Sequence, residues 1–321
     1  MTAEVARAAL SAWSSIVGDD PVITAMPNVT NPIWRIEVCD RPTLVLKQLP
    51  EYPAGVEPVV EYRVLSHLQG SGVSVALPVV TDTGSILASV DNRDWSLLPH
   101  LPHQSGNHEL GPDASETAFL TGSAIAHLGR ALADYPYVVE SFVDDPGKVL
   151  AEALPQLPDE VTRLVQPYAE RIAEACRDLP VQLTHGDCND GNVLIGSEKR
   201  ISFIDIDHLP TGPRVRDLAY YLASRLRRHL ASPQTATLTT AAFVAVIPNY
   251  VAGYRHVQQL SEQEISAIVP LMLITEIGGA HWSLHGWERN MENYRRSLAS
   301  IDWLVTRFDQ LTAATDAVPR G

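Results

Sequence analysis

The chain has 321 residues, of which 45% are hydrophobic and 19% charged, and its formal net charge is −14. That length suits two lobes better than one small core, and the balance excludes a disordered chain. A nucleic-acid surface, which needs clustered Lys and Arg, is excluded as well; the acidic total is compatible with a cationic ligand but serves solubility equally. Cys39, Cys176 and Cys188 form no C-x-x-C pair. Neither a disulfide framework nor a closed zinc site is therefore expected, and a reducing, cytoplasmic setting is. At the N-terminus, Val5, Ala9, Trp13 and Ile16 recur at helical spacing, while Glu4 and Arg7 interrupt any secretory run. No stretch reads as the ~20-residue apolar span of a membrane helix, so no membrane partner is expected.

After this helix, "PVITAM", "NPIWRIEVCD" and "RPTLVLKQL" read as successive strands, with Trp34 and Ile36 alternating with Arg35 and Glu37. "EPVVEYRVLSHLQGSG" reads as a helix, opened near Pro58 and stopped at Gly70, and "SILASV" and "WSLL" as two further strands. The Pro-containing stretch 97–106 is a stiff connector. From Asp113 onward the pattern turns helical, with two strands expected only around "NVLI" and "ISFID". "RLRRH", residues 225–229, reads as a solvated helix face. Gly278 and Gly279 within a helical run cost about 1 kcal/mol each relative to Ala, which calls for close backbone approach or a bend.

The polar residues around the last two strands need an explanation, because carboxylates beside β-branched residues are costly without compensation. A hairpin turn centred near 198–199 sets Asn192 opposite Asp205, on one face and ~5 Å apart. Such an oxygen pair suits Mg²⁺ rather than zinc. Asp187, five residues before Asn192, can stand beside that site without ligating. In the β-rich half, Lys47 points away from Leu44 and Leu46, and Glu61 shares a helix face with Leu65 and Leu68. An inward Glu wants a cation, and Lys47 is the natural one. A Lys–Glu pair in one lobe with Asp, Asn and Asp in the other is a phosphoryl-transfer set. Three other classes compete: a metal-dependent hydrolase built from His185, Asp187, Asp205 and His208, a glycosyltransferase using "DID" at 205–207, and a non-catalytic nucleotide-binding pseudokinase.

"HGDCNDGNVLI…FIDID" resembles the H-G-D-x-x-x-x-N…D signature of the aminoglycoside phosphotransferase and choline kinase-like family of small-molecule kinases. "NVTNPIWRI…LVLKQ" is similar to that family's nucleotide loop and lysine strand, and "HLPTGPRVRDLAYYLA" to the stretch after its metal aspartate. The resemblance implies an α+β, bilobal, protein-kinase-like fold: an N-lobe over 1–98, a connector over 99–106 and a helical C-lobe over 107–321. It implies Asp187 as catalytic base, Asn192 and Asp205 as Mg²⁺ ligands, and His185 and Asp217 as support of the loop. Lys47 would hold the phosphates of ATP (or GTP), Glu61 would orient Lys47, and Asn31, Leu98, Pro99, His100 and Leu101 would flank the nucleotide. Asp207 is placed either as loop support or among the metal's oxygens; it and Cys188 depart from the commonest pattern. The partner implied is a small-molecule hydroxyl acceptor, first an antibiotic or other natural product, with a homoserine- or sugar-type metabolite or a precursor-peptide Ser/Thr as alternatives. Glu276, His281, Trp282, Trp287 and Glu288 are candidate acceptor contacts.

Overall fold

The computed structural model describes residues 3–27, 31–50, 55–104, 106–232, 234–286 and 289–316. Helices α1 (Ala3–Leu10) and α2 (Ser14–Val17) precede strands β1 (Val22–Ala25), β2 (Ile33–Glu37) and β3 (Leu44–Gln48). Helix α3 (Pro58–Gly70) follows, then β4 (Ala88–Val90) and β5 (Arg93–Pro99). The five strands form one antiparallel sheet in the order β1-β2-β3-β5-β4. Asp91 and Asn92 both take positive φ, the backbone a two-residue β4–β5 hairpin requires. Alternation along β2 and β3 buries Trp34, Ile36 and Leu46 with Trp95 and Leu97 of β5 and with Ala6, Ala9, Leu10 and Trp13.

The remainder is helical apart from four short strands: α4 (Ala114–Ala133), α5 (Pro146–Lys148), α6 (Asp159–Val165), α7 (Ala169–Ala175), β6 (Val181–Leu183), β7 (Val193–Ile195), β8 (Ile201–Phe203) and β9 (Thr211–Pro213). Then come α8 (Arg216–Leu230), α9 (Ala236–Val257), α10 (Glu262–His285), α11 (Met291–Thr306) and α12 (Phe308–Asp316). The expected β7–β8 hairpin is present, but so is a second pair, β6 with β9, where no strands were expected. Three-residue strands are too short for periodicity to register. The chain is α+β, with a sheet lobe, a connector and a helical lobe.

Helix α3 belongs to the sheet lobe by sequence but to the helical lobe by packing. Val64, Leu65 and Leu68, with Val73 and Val75, join the large cluster that contains Phe203, Leu218 and Tyr250. Phe203 N donates to Ser74 O at 2.8 Å, and His67 Nε2 bonds Ala131 O at 2.8 Å. Within that cluster α4 and α9 touch backbone to backbone: a Cβ on Gly253 would lie 1.9 Å from the Phe119 carbonyl oxygen. Helices α9 and α10 are, by length and composition, apolar enough to cross a membrane, contrary to the sequence reading. Here Ile247, Val251, Leu271 and Ile274 are buried in the core instead.

Candidate active site

The turn leaving β6 must carry polar side chains into the cleft while its own backbone is buried. Asp217, in the first turn of α8, satisfies it by accepting from His185 N at 2.8 Å and Gly186 N at 3.1 Å. Burial holds the Asp217 carboxyl above its ordinary range, with His185 and the two amides pulling the other way. Gly186 has φ +82°, and a Cβ there would fall 2.3 Å from Pro210 Cδ, so the bend admits only glycine. His185 Nε2 donates to Ile204 O at 3.0 Å and its Nδ1 accepts from Asp187 N at 3.4 Å. Both ring nitrogens are engaged, which removes His185 as a metal ligand and with it the hydrolase constellation.

Asn192 is fixed by two bonds from its Nδ2, to Asp187 O and to Asp187 Oδ2, each 2.9 Å. Its Oδ1 is thereby turned away from Asp187 as an acceptor with no proton of its own. Asp205 follows β8 with φ +55° and carries a carboxylate 41% exposed. An amide oxygen and a carboxylate are the hard donors a divalent cation such as Mg²⁺ takes, so these two residues fit that role.

Lys47 lies across the cleft on β3, its side chain only 16% exposed, with Nζ 2.5 Å from Asp205 Oδ1 and 3.9 Å from Asp207 Oδ2. Burial would lower its ammonium, but Asp205 and Asp207 outweigh that and hold it above the ordinary value. Asp207 in turn bonds His208 Nδ1 at 2.9 Å. Burial pushes the Asp207 carboxyl up, yet the His208 bond and Lys47 leave it below the ordinary range. Lys47, Asp205, Asp207, His185, Asp187, Asn192 and Asp217 thus gather at one cleft.

Two expected pairings differ. The β7–β8 register places Val193 opposite Phe203, so Asn192 faces Ile204 rather than Asp205, and Ile204 N donates to Asn192 O. Glu61 makes no ion pair with Lys47 within 4.0 Å among the described residues; Asp205 takes that place. Burial pushes the Glu61 carboxyl up to about 7, with Lys47 pulling it down and Asp207 and Asp205 pushing further up.

The connector residues Leu98, Pro99, His100 and Leu101 are half-buried, and His100 N donates to Thr43 O at 3.0 Å. Gln104 N donates to Ile195 O at 2.9 Å, tying the connector to β7. Asn31 is half-buried just before β2; residues 28–30 of the expected nucleotide loop lie outside the described residues.

The expected acceptor contacts do not converge. Glu276 is fully buried, its Oε1 accepting from Arg227 Nε at 3.3 Å and Nη2 at 3.0 Å. His281 Nε2 sits 3.3 Å from Gln156 Oε1, and Trp282 is 61% exposed. One helix cannot turn positions 276 and 282 to the same side, since six residues rotate about 600° at 3.6 per turn. Trp287 and Glu288 lie outside the described residues. The "RLRRH" stretch is not a solvated face either: Arg225 and His229 are buried against Glu109, and Arg228 pairs with Asp190.

Helix α8 adds residues that sequence reading passed over. Its Tyr220 lies against Asp187, the phenol pushed far above the ordinary range by burial and then by the Asp187 charge. The Arg216 guanidinium, 5.5 Å from the Tyr220 ring centre, backs that ring and bonds Asp144 at 2.7 Å. Ser224 Oγ donates to Asp190 Oδ1 at 2.6 Å. The signal was available: Tyr220, Ser224 and Arg227 recur at i, i+4 and i+7.

The model of the phosphotransferase enzyme family matches residues 23–260. No curated protein matches the chain. Among solved structures, a microcompartment-associated aminopropanol kinase superposes with a TM-score of 0.70 at 15% identity, covering 97% of this chain and 99% of its own. An aminoglycoside phosphotransferase from Alicyclobacillus acidocaldarius gives 0.67 at 14% identity, covering 97% and 95%. A choline/ethanolamine kinase family protein from Mesorhizobium loti gives 0.64 at 16% identity, covering 98% and 99%. At these identities the likeness is one of fold.

Proposed function

The chain belongs to the phosphotransferase enzyme family, and from that premise we propose that it transfers the γ-phosphoryl group of ATP to a hydroxyl of a small molecule, an antibiotic or another natural product. The observation that carries this reading is the convergence of Lys47 from the sheet with Asp187, Asn192 and Asp205 from the helical lobe, Lys47 Nζ standing 2.5 Å from Asp205. Lys47 holds nucleotide phosphates. Asn192 Oδ1 and Asp205 hold Mg²⁺, which when bound offsets charge on those phosphates.

Asp187 takes the acceptor's proton. With Asn192 fixing Oδ2 and the Tyr220 hydroxyl bonded to the same carboxylate, Asp187 orients the acceptor hydroxyl as its oxygen attacks the γ-phosphorus. The hydroxyl proton passes to the carboxylate, the phosphate ester forms, and ADP leaves. The fold is shared with proteins named for aminoglycosides and for amino alcohols, which sets the acceptor panel.

The test is acceptor-dependent ADP release with Mg²⁺ and ATP, run with wild type and Asp187→Ala over antibiotics, amino alcohols, hydroxy acids and sugars. Turnover abolished in Asp187→Ala supports the reading. Nucleotide binding with no turnover of any acceptor counts against it.

A further inference from the structure

The wall beside Asp187 is built by α8. Tyr220, Ser224 and Arg227 share one face, and that face meets the catalytic loop through the Ser224–Asp190 bonds, 2.6 Å from the side chain and 3.0 Å from Asp190 N. Arg227 lies two turns beyond Tyr220, and helical side chains lean toward the N-terminus. Its guanidinium therefore bends back toward Tyr220, in keeping with the mutual electrostatic influence of the two groups. Arg227 donates Nε and Nη2 to the single oxygen Glu276 Oε1. Its side chain remains 27% exposed, and Nη1 has no hydrogen-bond partner among the described residues. On α10 beside it, a Cβ on Gly278 would meet nothing within 4 Å, whereas one on Gly279 would come 3.2 Å from Ser297 Oγ and 3.9 Å from Arg227 Nη2, so the open space is at Gly278.

The carboxylates around this wall are already engaged. Asp190 is held by Ser224, Arg225 and Arg228; Asp144 by Arg216; Asp207 by His208 and Lys47. Glu276 is fully buried beneath Arg227. Each of these four already has a partner, although the chain as a whole carries a charge of −14. A partly exposed guanidinium edge is left to receive an anion, and a guanidinium matches a carboxylate in geometry as well as charge.

We propose that the acceptor carries a carboxylate as well as its hydroxyl, and that Arg227, steadied by Glu276, binds that carboxylate while the hydroxyl faces Asp187. This rests on the phosphotransferase reading above and narrows it to hydroxy acids and hydroxyl-bearing amino acids. The seven-residue interval from Tyr220 to Arg227 spans about 10 Å along the helix, shortened by the backward lean of the arginine. The two groups of the acceptor are therefore separated by several bonds.

The test measures Mg²⁺–ATP-dependent phosphorylation of matched probes: 4-hydroxybutyrate, homoserine and longer ω-hydroxy acids, each against its carboxamide and its amino-alcohol counterpart. Wild type, Arg227→Gln and Arg227→Lys are compared, with thermal melts showing that each variant folds. The expected result is a KM at least tenfold lower for the acids than for their amides. Arg227→Gln raises the KM for the acids at least tenfold with kcat nearly unchanged and removes the acid–amide difference, and Arg227→Lys restores part of it. Equal or better turnover of amides or amino alcohols, unaffected by Arg227→Gln, overturns the carboxylate assignment while leaving the phosphotransferase reading intact. Nucleotide binding with no turnover of any probe or of the wider acceptor panel overturns both.

Discussion

Asn192 grips Asp187 at two points, the main-chain carbonyl and the Oδ2 oxygen, both at 2.9 Å. One side chain thus sets the direction of the carboxylate and presents its own oxygen elsewhere. Asp187→Asn is expected to lower kcat by about 10²–10⁴-fold while nucleotide affinity holds, because only the proton acceptor is lost. Asn192→Asp, which sets two carboxylates against each other, is expected to lower kcat and weaken Mg²⁺ dependence together. Steady-state kinetics over a Mg²⁺ series distinguish the two.

Asp217 is the acceptor for two buried amides. Asp217→Ala leaves both without a partner and is expected to cost about 1–3 kcal/mol in denaturant unfolding, with Asp217→Asn costing less because one oxygen remains. An Asp217→Ala protein as stable as wild type would show that the loop backbone finds other partners.

Glu61 has a carboxyl raised to about 7 by burial. A raised folded pKa means the native state binds more protons than the unfolded state between the two values, so stability is full below about 4.5 and falls as pH rises to about 7. Glu61→Gln carries no such charge. Its melting temperature relative to wild type is expected to climb across pH 4.5–7 and then level, the wild-type loss being about 1–3 kcal/mol. A flat difference would place the Glu61 carboxylate in a solvated setting.

Glu109 accepts from Arg225 Nε at 2.8 Å and from Tyr250 OH at 2.9 Å, with Arg225 almost wholly buried. Glu109→Ala leaves that guanidinium only Asp190 at 3.6 Å and the Gly106 carbonyl at 3.3 Å and is expected to cost about 3–5 kcal/mol, whereas replacing Glu109 and Arg225 together by Leu and Met costs less. A double-mutant cycle in urea reads the difference.

The division into a sheet lobe and a helical lobe was legible because β2 and β3 alternate cleanly and the later segments show helical periodicity. The gathering of Lys47, Asp187, Asn192 and Asp205 was legible because those residues sit at ends of short apolar strands. The hairpin register was read one residue out: the loop is five residues, 196–200, centred on Glu198, and a half-residue shift in the centre moves the partner of Asn192 by one. The face of Tyr220, Ser224 and Arg227 was legible only as a helical spacing, not as a neighbour of the catalytic loop. Whether Glu276 meets solvent or Arg227 depends on how α8, α10 and α11 pack, which no local pattern encodes. The same holds for "RLRRH", whose charges read as solvated until Glu109 arrives from 116 residues away.

Helix α3 carries Glu61 but anchors its apolar face in the helical lobe's cluster, while Lys47 stands on a sheet with a separate cluster of its own. The mechanical seam of the molecule therefore runs between Lys47 and Glu61, not along the connector. Any rocking of the sheet over the cleft changes the gap between that ammonium and that carboxyl while each stays fixed in its own packed body.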